Sequence, residues 1–210
     1  MKITPLKFIL FVVLLAGLLF LKQDNTSVVQ TDALNKQDVI LAFGDSLTYG
    51  TGAPSLSYPV QLERLLQRKV VNAGNSGELS SIGLSRLPSL LKKFHPSLVI
   101  LCHGGNDLIQ KKSKELLKNN LRQMIQLSKA SGAHVLLIGV PNFKVIRFST
   151  ESLYAELAEE ENVLYEGKVL ATIENNSALK SDRIHPNAKG YSLMAKTFTH
   201  VLKDSGLVKE

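Results

Sequence analysis

The chain has 210 residues, of which 44% are hydrophobic and 20% are charged, so its length suits one globular domain. The formal net charge is +7, but no block of basic and aromatic residues occurs, which argues against nucleic-acid binding. The single cysteine, Cys102, excludes an intramolecular disulfide, and its apolar surroundings in the sequence predict a buried, inert thiol. No Cys/His spacing indicates a metal site.

The N-terminal segment differs in composition from the rest of the chain. Basic residues precede an uninterrupted apolar run at residues 8–21, whose length suits a signal peptide better than a membrane span of about 20 residues. We therefore expect residues 1–22 to form a signal peptide or a retained membrane anchor, and residues 23–37 to form a linker. The protein is expected to be exported, either periplasmic or membrane-anchored and facing the outside of the cytoplasm.

From residue 38 onward, short apolar runs alternate with segments of helical periodicity. The predicted strands lie at 39–43, 70–74, 97–102, 134–140 and 163–167. The predicted helices lie at 58–69, 80–94 (interrupted near Pro88), 113–132, 150–162 and about 187–204. Continuously apolar strands that alternate with helices are typical of a parallel sheet covered on both faces. The sequence therefore predicts one α/β domain over residues 38–210, a layered sandwich built from right-handed βαβ units.

One predicted helix is clearly amphipathic. Residues 113–132 place apolar side chains three and four positions apart, and Gly132 is well placed to end the helix. The predicted inner face consists of Leu116, Leu117, Leu121, Met124, Ile125 and either Leu127 or Ser128.

Polar residues follow the predicted strands, and ligand sites in such sheets lie beyond the carboxyl ends of the strands. Ser46 follows the first strand, near a helix N-terminus that favours negative charge; the alternative role for a lone serine there is an N-cap. Gly77 and Asn106 follow the second and third strands. A glycine N–H and an asparagine amide can join a further backbone N–H in an oxyanion site, whereas each segment alone also fits an ordinary turn.

A nucleophilic serine requires a base, and the chain contains five histidines. Surface or structural roles suit three of them: His95, His134 and His200. His103 adjoins the segment that contains Asn106 and could line the site. His185 lies in a loop before the last predicted helix, and Asp182 three residues earlier can reach Nδ1 while Nε2 faces outward. The alternatives are a turn residue for Asp182 and a surface histidine for His185.

Four motifs occur in order along the chain: FGDSLTYG, NAGNSGE, GGNDL and DRIHPN. With these motifs the sequence resembles the SGNH hydrolases, also called the GDSL esterase/lipase family, especially the small bacterial arylesterases, lysophospholipases and acyl-CoA thioesterases. The resemblance covers about residues 38–204. It implies a flavodoxin-like three-layer α/β/α sandwich with a mostly parallel central sheet, which agrees with the pattern of strands and helices.

The resemblance also implies roles for individual residues. The implied catalytic residues are Ser46 as nucleophile, His185 as base and Asp182 as the acid that orients it, and the implied oxyanion hole consists of the Ser46 and Gly77 N–H groups and Asn106 Nδ2. Asp45 would hold the nucleophile loop without transferring a proton. His103 and the segment that contains Phe143 have no counterpart in the family. Both bear on which substrate is preferred, and we expect His103 and Phe143 to contact the substrate.

These roles describe a serine esterase or thioesterase that hydrolyses aryl esters, short-to-medium acyl esters or lysophospholipids through an acyl-enzyme on Ser46. No metal or organic cofactor is required. The expected partner is a small acyl ester or lipid, with no nucleic acid; membrane association would come from the N-terminal segment, and we expect a monomer. Two alternatives stay open: O-deacetylation of envelope polysaccharide and, in another class, a non-catalytic membrane-tethered binding module.

Overall fold

The structure, a computed structural model, describes residues 33–142 and 148–209. The predicted signal or anchor segment, most of the predicted linker and Phe143 lie outside the described residues. In the described ranges, no helix combines the length and the apolar character needed to cross a membrane. The first described residues belong to the folded unit, since Leu34 is buried and its N–H donates to the Leu207 carbonyl at 2.7 Å.

A five-stranded parallel sheet forms the centre of the fold. Its strands are β1 (Ile40–Gly44), β2 (Val70–Gly74), β3 (Leu98–Cys102), β4 (His134–Ile138) and β5 (Leu164–Glu166). They lie in the order β2-β1-β3-β4-β5, and every neighbouring pair is parallel. The central strands β1 and β3 are buried at every residue, as their uninterrupted apolar sequences predict. This strand order is that of a flavodoxin-like sheet, so the predicted fold is confirmed.

Helices cover both faces of the sheet. Within the described residues they are α1 (Ser46–Tyr49), α2 (Tyr58–Leu66), α3 (Ser80–Phe94), α4 (Gly105–Ile109), α5 (Lys114–Ala130), α6 (Ser152–Glu160), α7 (Val169–Glu174) and α8 (Ala188–Asp204). The connection from β1 to β2 runs in the opposite direction along the sheet to the later connections. Right-handed crossovers therefore place α2 on one face and α3, α5 and α6 on the other. On these faces α2 packs against α8, and α5 packs against α3 and α6.

The predicted interruption of α3 at Pro88 is wrong. The helix continues from Ser80 to Phe94 with Pro88 inside it. Proline removes one backbone N–H and its ring crowds the preceding turn, but the residues on either side keep their own hydrogen bonds. Because Pro88 lies on the exposed side, the helix accommodates it without a change in the packing of its buried face.

The inner face of α5 also differs in part from the prediction. Leu116 is 55% exposed and Leu127 is 37% exposed, whereas Ser128 is buried. Asn120 takes an inner position instead, and its amide donates to Ser80 Oγ at 2.9 Å. A polar side chain is stable in this layer because a partner on α3 satisfies it, which periodicity alone does not reveal.

The cysteine prediction is confirmed. Cys102 ends β3 and is fully buried. Burial raises the pKa of its thiol well above the usual range, so the thiolate that would make it reactive is not formed near neutral pH.

Candidate active site

Ser46 is the first residue of α1 and directly follows the turn after β1. Asp45 is the N-cap of this helix, and its Oδ1 accepts the N–H of Leu47 at 3.1 Å. The N-cap alternative for Ser46 is therefore wrong, because its neighbour fills that position. Burial raises the pKa of Asp45, while nearby His103 and the N–H groups of Leu47 and Gly105 oppose that rise.

Ser46, His185 and Asp182 form a continuous hydrogen-bonded chain. His185 Nε2 lies 3.0 Å from Ser46 Oγ, and His185 Nδ1 lies 2.8 Å from Asp182 Oδ2. A carboxylate can only accept, so Nδ1 carries the hydrogen and Nε2 is left to accept the serine hydroxyl. The geometry brings together a hydroxyl, a base and an orienting acid from the two ends of the domain.

Asp182 is held as a carboxylate by its surroundings. Its Oδ1 accepts the backbone N–H groups of Ile184 and His185, each at 2.7 Å. Burial opposes ionisation, but these two N–H groups and the His185 ring outweigh it and lower the pKa of Asp182 to about 2. The acid therefore stays negatively charged beside the imidazole at neutral pH.

The loop that carries Asp182 and His185 is fixed by Asn187. The Asn187 side chain caps α8 by accepting the N–H groups of Lys189 and Gly190 at 2.9 and 3.1 Å. Its amide also donates to the carbonyls of Ala178 and Lys180, at 3.0 and 3.1 Å. One asparagine thus ties the loop to the start of α8 and so helps to hold the imidazole in place.

Three candidate oxyanion donors lie on the segments that follow β1, β2 and β3. Gly77 is exposed with a φ of +80°, a conformation that favours glycine. Neither the Gly77 N–H nor the Ser46 N–H has a backbone partner among the described residues. Asn106 Nδ2 donates to the Glu78 carbonyl at 3.0 Å and lies 3.5 Å from Asp45 Oδ2. Asn106 therefore sits beside the neighbours of both Ser46 and Gly77.

The two residues expected to contact substrate have different outcomes. His103 is fully buried, its Nε2 lies 3.2 Å from Glu78 Oε1, and its Nδ1 accepts the Gly104 N–H at 2.9 Å. Its ring therefore faces the protein interior rather than a substrate. Phe143 lies outside the described residues. Phe148, on the far side of the same segment, exchanges two hydrogen bonds with the Asn175 side chain, at 3.0 and 2.8 Å.

Residues not singled out from the sequence also support the site. Asp107 follows Asn106, and its carboxylate accepts the Ser80 N–H at 2.9 Å and the Ser80 hydroxyl at 2.7 Å. It thereby joins the start of α3 to α4. In the sequence, this role of Asp107 was indicated by an acidic residue directly after Asn106, the predicted oxyanion donor. In the part of the chain that the structure describes, no three His, Cys, Asp or Glu residues are grouped as a metal site requires.

Comparison with known proteins agrees with this arrangement. Residues 42–193 match the family model described as the GDSL-like Lipase/Acylhydrolase family. Esterase TesA of Pseudomonas aeruginosa is 34% identical over 158 residues, which are 70% of this chain and 79% of that protein. Thioesterase 1/protease 1/lysophospholipase L1 of Escherichia coli (strain K12) is 34% identical over 166 residues, which are 75% of this chain and 80% of that protein.

Solved structures show the same fold. A crystal structure of TesA aligns with a TM-score of 0.73 and 28% identity, covering 80% of this chain and 99% of that one. The psychrotrophic esterase EstA from Pseudoalteromonas sp. aligns with a TM-score of 0.71 and 26% identity, covering 80% of this chain and 98% of that one.

The fold and these similarities define a serine hydrolase that acts on ester bonds. The chain belongs to the GDSL-like lipase/acylhydrolase family, as its four motifs predicted. The prediction of an enzyme is thereby confirmed, and the alternative of a non-catalytic binding module is not retained.

Proposed function

We propose that this protein hydrolyses carboxylic esters and thioesters through an acyl-enzyme on Ser46. The observation that carries the proposal is the pair of contacts at 3.0 Å (Ser46 to His185) and 2.8 Å (His185 to Asp182). Ser46 Oγ attacks the acyl carbon while its proton passes to His185 Nε2. The Asp182 carboxylate stabilises the imidazolium that forms.

The proton on His185 is then transferred to the leaving group. His185 donates it to the departing alkoxide or thiolate, and the acyl group stays on Ser46 Oγ. A water molecule next gives a proton to the same imidazole while its oxygen attacks the acyl carbon. The imidazolium then returns this proton to Ser46 Oγ as the bond from Oγ to the acyl carbon breaks, which releases the carboxylic acid and restores the serine. The described side chains supply the base, the acid that orients it and the donors, so the proposed cycle requires no metal or organic cofactor.

The negative charge on the tetrahedral intermediate needs donors that are already in place. We assign this role to the N–H groups of Ser46 and Gly77 and to Asn106 Nδ2. An amide nitrogen carries two hydrogens, so the bond from Asn106 to the Glu78 carbonyl commits only one of them. The second hydrogen is left for the oxyanion, because the 3.5 Å separation from Asp45 Oδ2 is at the limit of a hydrogen bond.

Asn106→Ala is expected to lower kcat for ester hydrolysis by about 100- to 1,000-fold, with a smaller change in KM, because the donor acts chiefly in the transition state. Steady-state kinetics with p-nitrophenyl octanoate measure this. Asn119→Ala is the matched control, since Asn119 contacts Arg122 on α5 and lies away from the site. An Asn106→Ala enzyme with the kcat of the control would contradict the assignment.

We further propose that the acyl group is a short-to-medium chain, in an aryl ester, a simple acyl ester or a lysophospholipid. Three apolar side chains are exposed on helices that begin at the same edge of the sheet as Ser46: Tyr49 (50% exposed), Ile82 (56%) and Ile109 (42%). Each methylene buried there would add about 0.8 kcal/mol to binding. The names of the relatives, which include an esterase and a lysophospholipase, also support this class.

A substrate panel tests the acyl preference. We expect kcat/KM for p-nitrophenyl octanoate to exceed that for the acetate by about tenfold or more, since the longer chain covers more apolar surface. The panel also includes the palmitate ester, an acyl-CoA, a lysophospholipid and an acetylated glycan. Turnover of the glycan and of acetate alone would favour the O-deacetylase alternative and contradict the proposed preference.

A further inference from the structure

A buried ion-pair network lies behind the two segments that carry Gly77 and Asn106. Glu78 directly follows Gly77, and its side chain is only 1% exposed. Its Oε1 accepts from Arg86 Nη2 at 2.7 Å and from His103 Nε2 at 3.2 Å. Its Oε2 accepts from Arg86 Nε at 2.9 Å and from Asn75 Nδ2 at 2.7 Å. Four contacts therefore fix the carboxylate in one position.

The hydrogen that His103 shares with Glu78 follows from its other contact. Because Nδ1 accepts the Gly104 N–H, the neutral ring carries its hydrogen on Nε2 and donates it to Glu78. Space for the ring comes from α3, where a Cβ added to Gly83 would collide with His103 Nε2. The imidazole is thus enclosed, and one of its two polar atoms is directed at the Glu78 carboxylate.

Arg86 extends the network to the other strands. Its Nη2 donates to the Ala73 carbonyl at 3.0 Å, and its guanidinium lies 4.5 Å from the centre of the Phe43 ring. Ala73 belongs to β2, Phe43 belongs to β1, and His103 directly follows β3. The carboxylate of Glu78 therefore connects the ends of the three strands from which the candidate oxyanion donors arise.

The main chain of Glu78 makes the contact that matters for catalysis. Its carbonyl accepts Asn106 Nδ2 at 3.0 Å, and its N–H closes a turn onto the Asn75 carbonyl at 3.2 Å. Gly77 lies inside this turn. Fixing the Glu78 side chain thus fixes both the direction of the Asn106 amide and the peptide that carries the Gly77 N–H.

The charge on Glu78 makes this arrangement stiff. Burial opposes ionisation, but His103, Arg86 and Asn75 outweigh it and lower the pKa of Glu78 to about 2. A buried charge that loses one of its donors is costly, so the network favours a single arrangement. Oxyanion donors need such stiffness, because a displacement of about 1 Å can reduce the rate about 100-fold.

We propose that Glu78 and His103 are positioning residues for the oxyanion site, acting through the Glu78 carbonyl on Asn106 and through the turn on Gly77. The inference rests on the proposed function, because it assigns a task within that reaction. It also gives His103 a role that needs no contact with the substrate.

The test compares two substitutions of His103 that differ in hydrogen bonding. His103→Leu removes the donor to Glu78, whereas the terminal amide of Gln in His103→Gln can replace it. We expect His103→Leu to lower kcat for p-nitrophenyl octanoate by about ten- to 100-fold with little change in KM, and His103→Gln to recover most of that loss.

Leu202→Ala serves as the structural control. Leu202 is fully buried and lies about 20 Å along α8 from the end that follows His185. We expect it to lower Tm without changing kcat at a temperature well below Tm. If His103→Leu behaves in the same way, with lower Tm and unchanged kcat, its role is only structural and the proposal is wrong.

Glu78→Gln provides a second variant of nearly unchanged shape, should His103→Leu fail to fold. Its amide group faces donors where the carboxylate accepted them, so we expect a fall in kcat of the same order as in His103→Leu. If folded Glu78→Gln has the same kcat as an active wild type, the positioning role is wrong but the proposed function stands. A wild type without turnover on any ester overturns the proposed function and the positioning role with it.

Discussion

Ser46→Ala is expected to abolish ester hydrolysis while the fold is retained. Loss of a serine nucleophile of this kind lowers kcat by about a millionfold. The fold should persist because, within residues 33–142 and 148–209, the Ser46 side chain makes one hydrogen bond, to His185, while Asp45 caps α1. Turnover of p-nitrophenyl octanoate measures the first effect, and circular dichroism with Tm measures the second.

Covalent labelling supplies an independent readout for the same variant. A fluorophosphonate reacts covalently with an activated serine hydroxyl, so it is a suitable probe for the proposed nucleophile. We expect one adduct on the wild type, at Ser46, and none on Ser46→Ala. Ser85→Ala is the matched control, since Ser85 is exposed on α3 and its hydroxyl donates to the Ile82 carbonyl of the same helix. Near-normal turnover in folded Ser46→Ala protein would refute the nucleophile.

His185→Ala is expected to have an effect of nearly the same size, about a millionfold in kcat, because a serine hydroxyl without its base is a weak nucleophile. The double variant with Ser46→Ala should be no slower than either single variant, since the two side chains act as a unit. His200→Ala, an exposed histidine on α8, should retain full activity. Substantial turnover in His185→Ala would exclude it as the base.

Asp182→Asn tests the acid that orients the base. The pKa of Asp182 is lowered to about 2, so its carboxylate is ionised at neutral pH and stabilises the imidazolium that forms on His185. Asp182→Asn should reduce kcat by about 10,000-fold, since a neutral amide neither holds the required tautomer nor stabilises the imidazolium as well. A kcat close to that of the wild type would argue against this role for Asp182.

Local patterns in the sequence predicted the layers, because β1 and β3 are apolar without interruption and each is followed by a helix. The flavodoxin-like topology was implied by the family resemblance. The motifs around Ser46 and His185 predicted which side chains meet. The orientation of His103 could not be predicted in this way. It depends on the space left by Gly83 and on a carboxylate 25 residues away, and both become neighbours only when α3 packs on the sheet.

The same limit explains why the prediction for Leu116 on α5 is wrong. Periodicity places Leu116 and Asn120 on one side of the helix, and hydrophobicity then favours the leucine as the buried one. In the structure the leucine is exposed and the asparagine is buried, because the Ser80 hydroxyl, which itself donates to Asp107, accepts the asparagine amide. Side-chain chemistry across two helices decides the outcome, and a single helix does not contain that information.

The contact between Ser46 and His185 joins residues 139 positions apart in the chain. Strands β2 to β5 and helices α2 to α7 lie between them in the chain, and α8, which follows His185, packs on α2. A refolding intermediate with its sheet formed but its C-terminal helix undocked would therefore already show secondary structure and yet have no esterase activity. The rate at which enzymatic activity returns therefore measures the last step of folding, the docking of α8. Far-UV circular dichroism alone would miss this step.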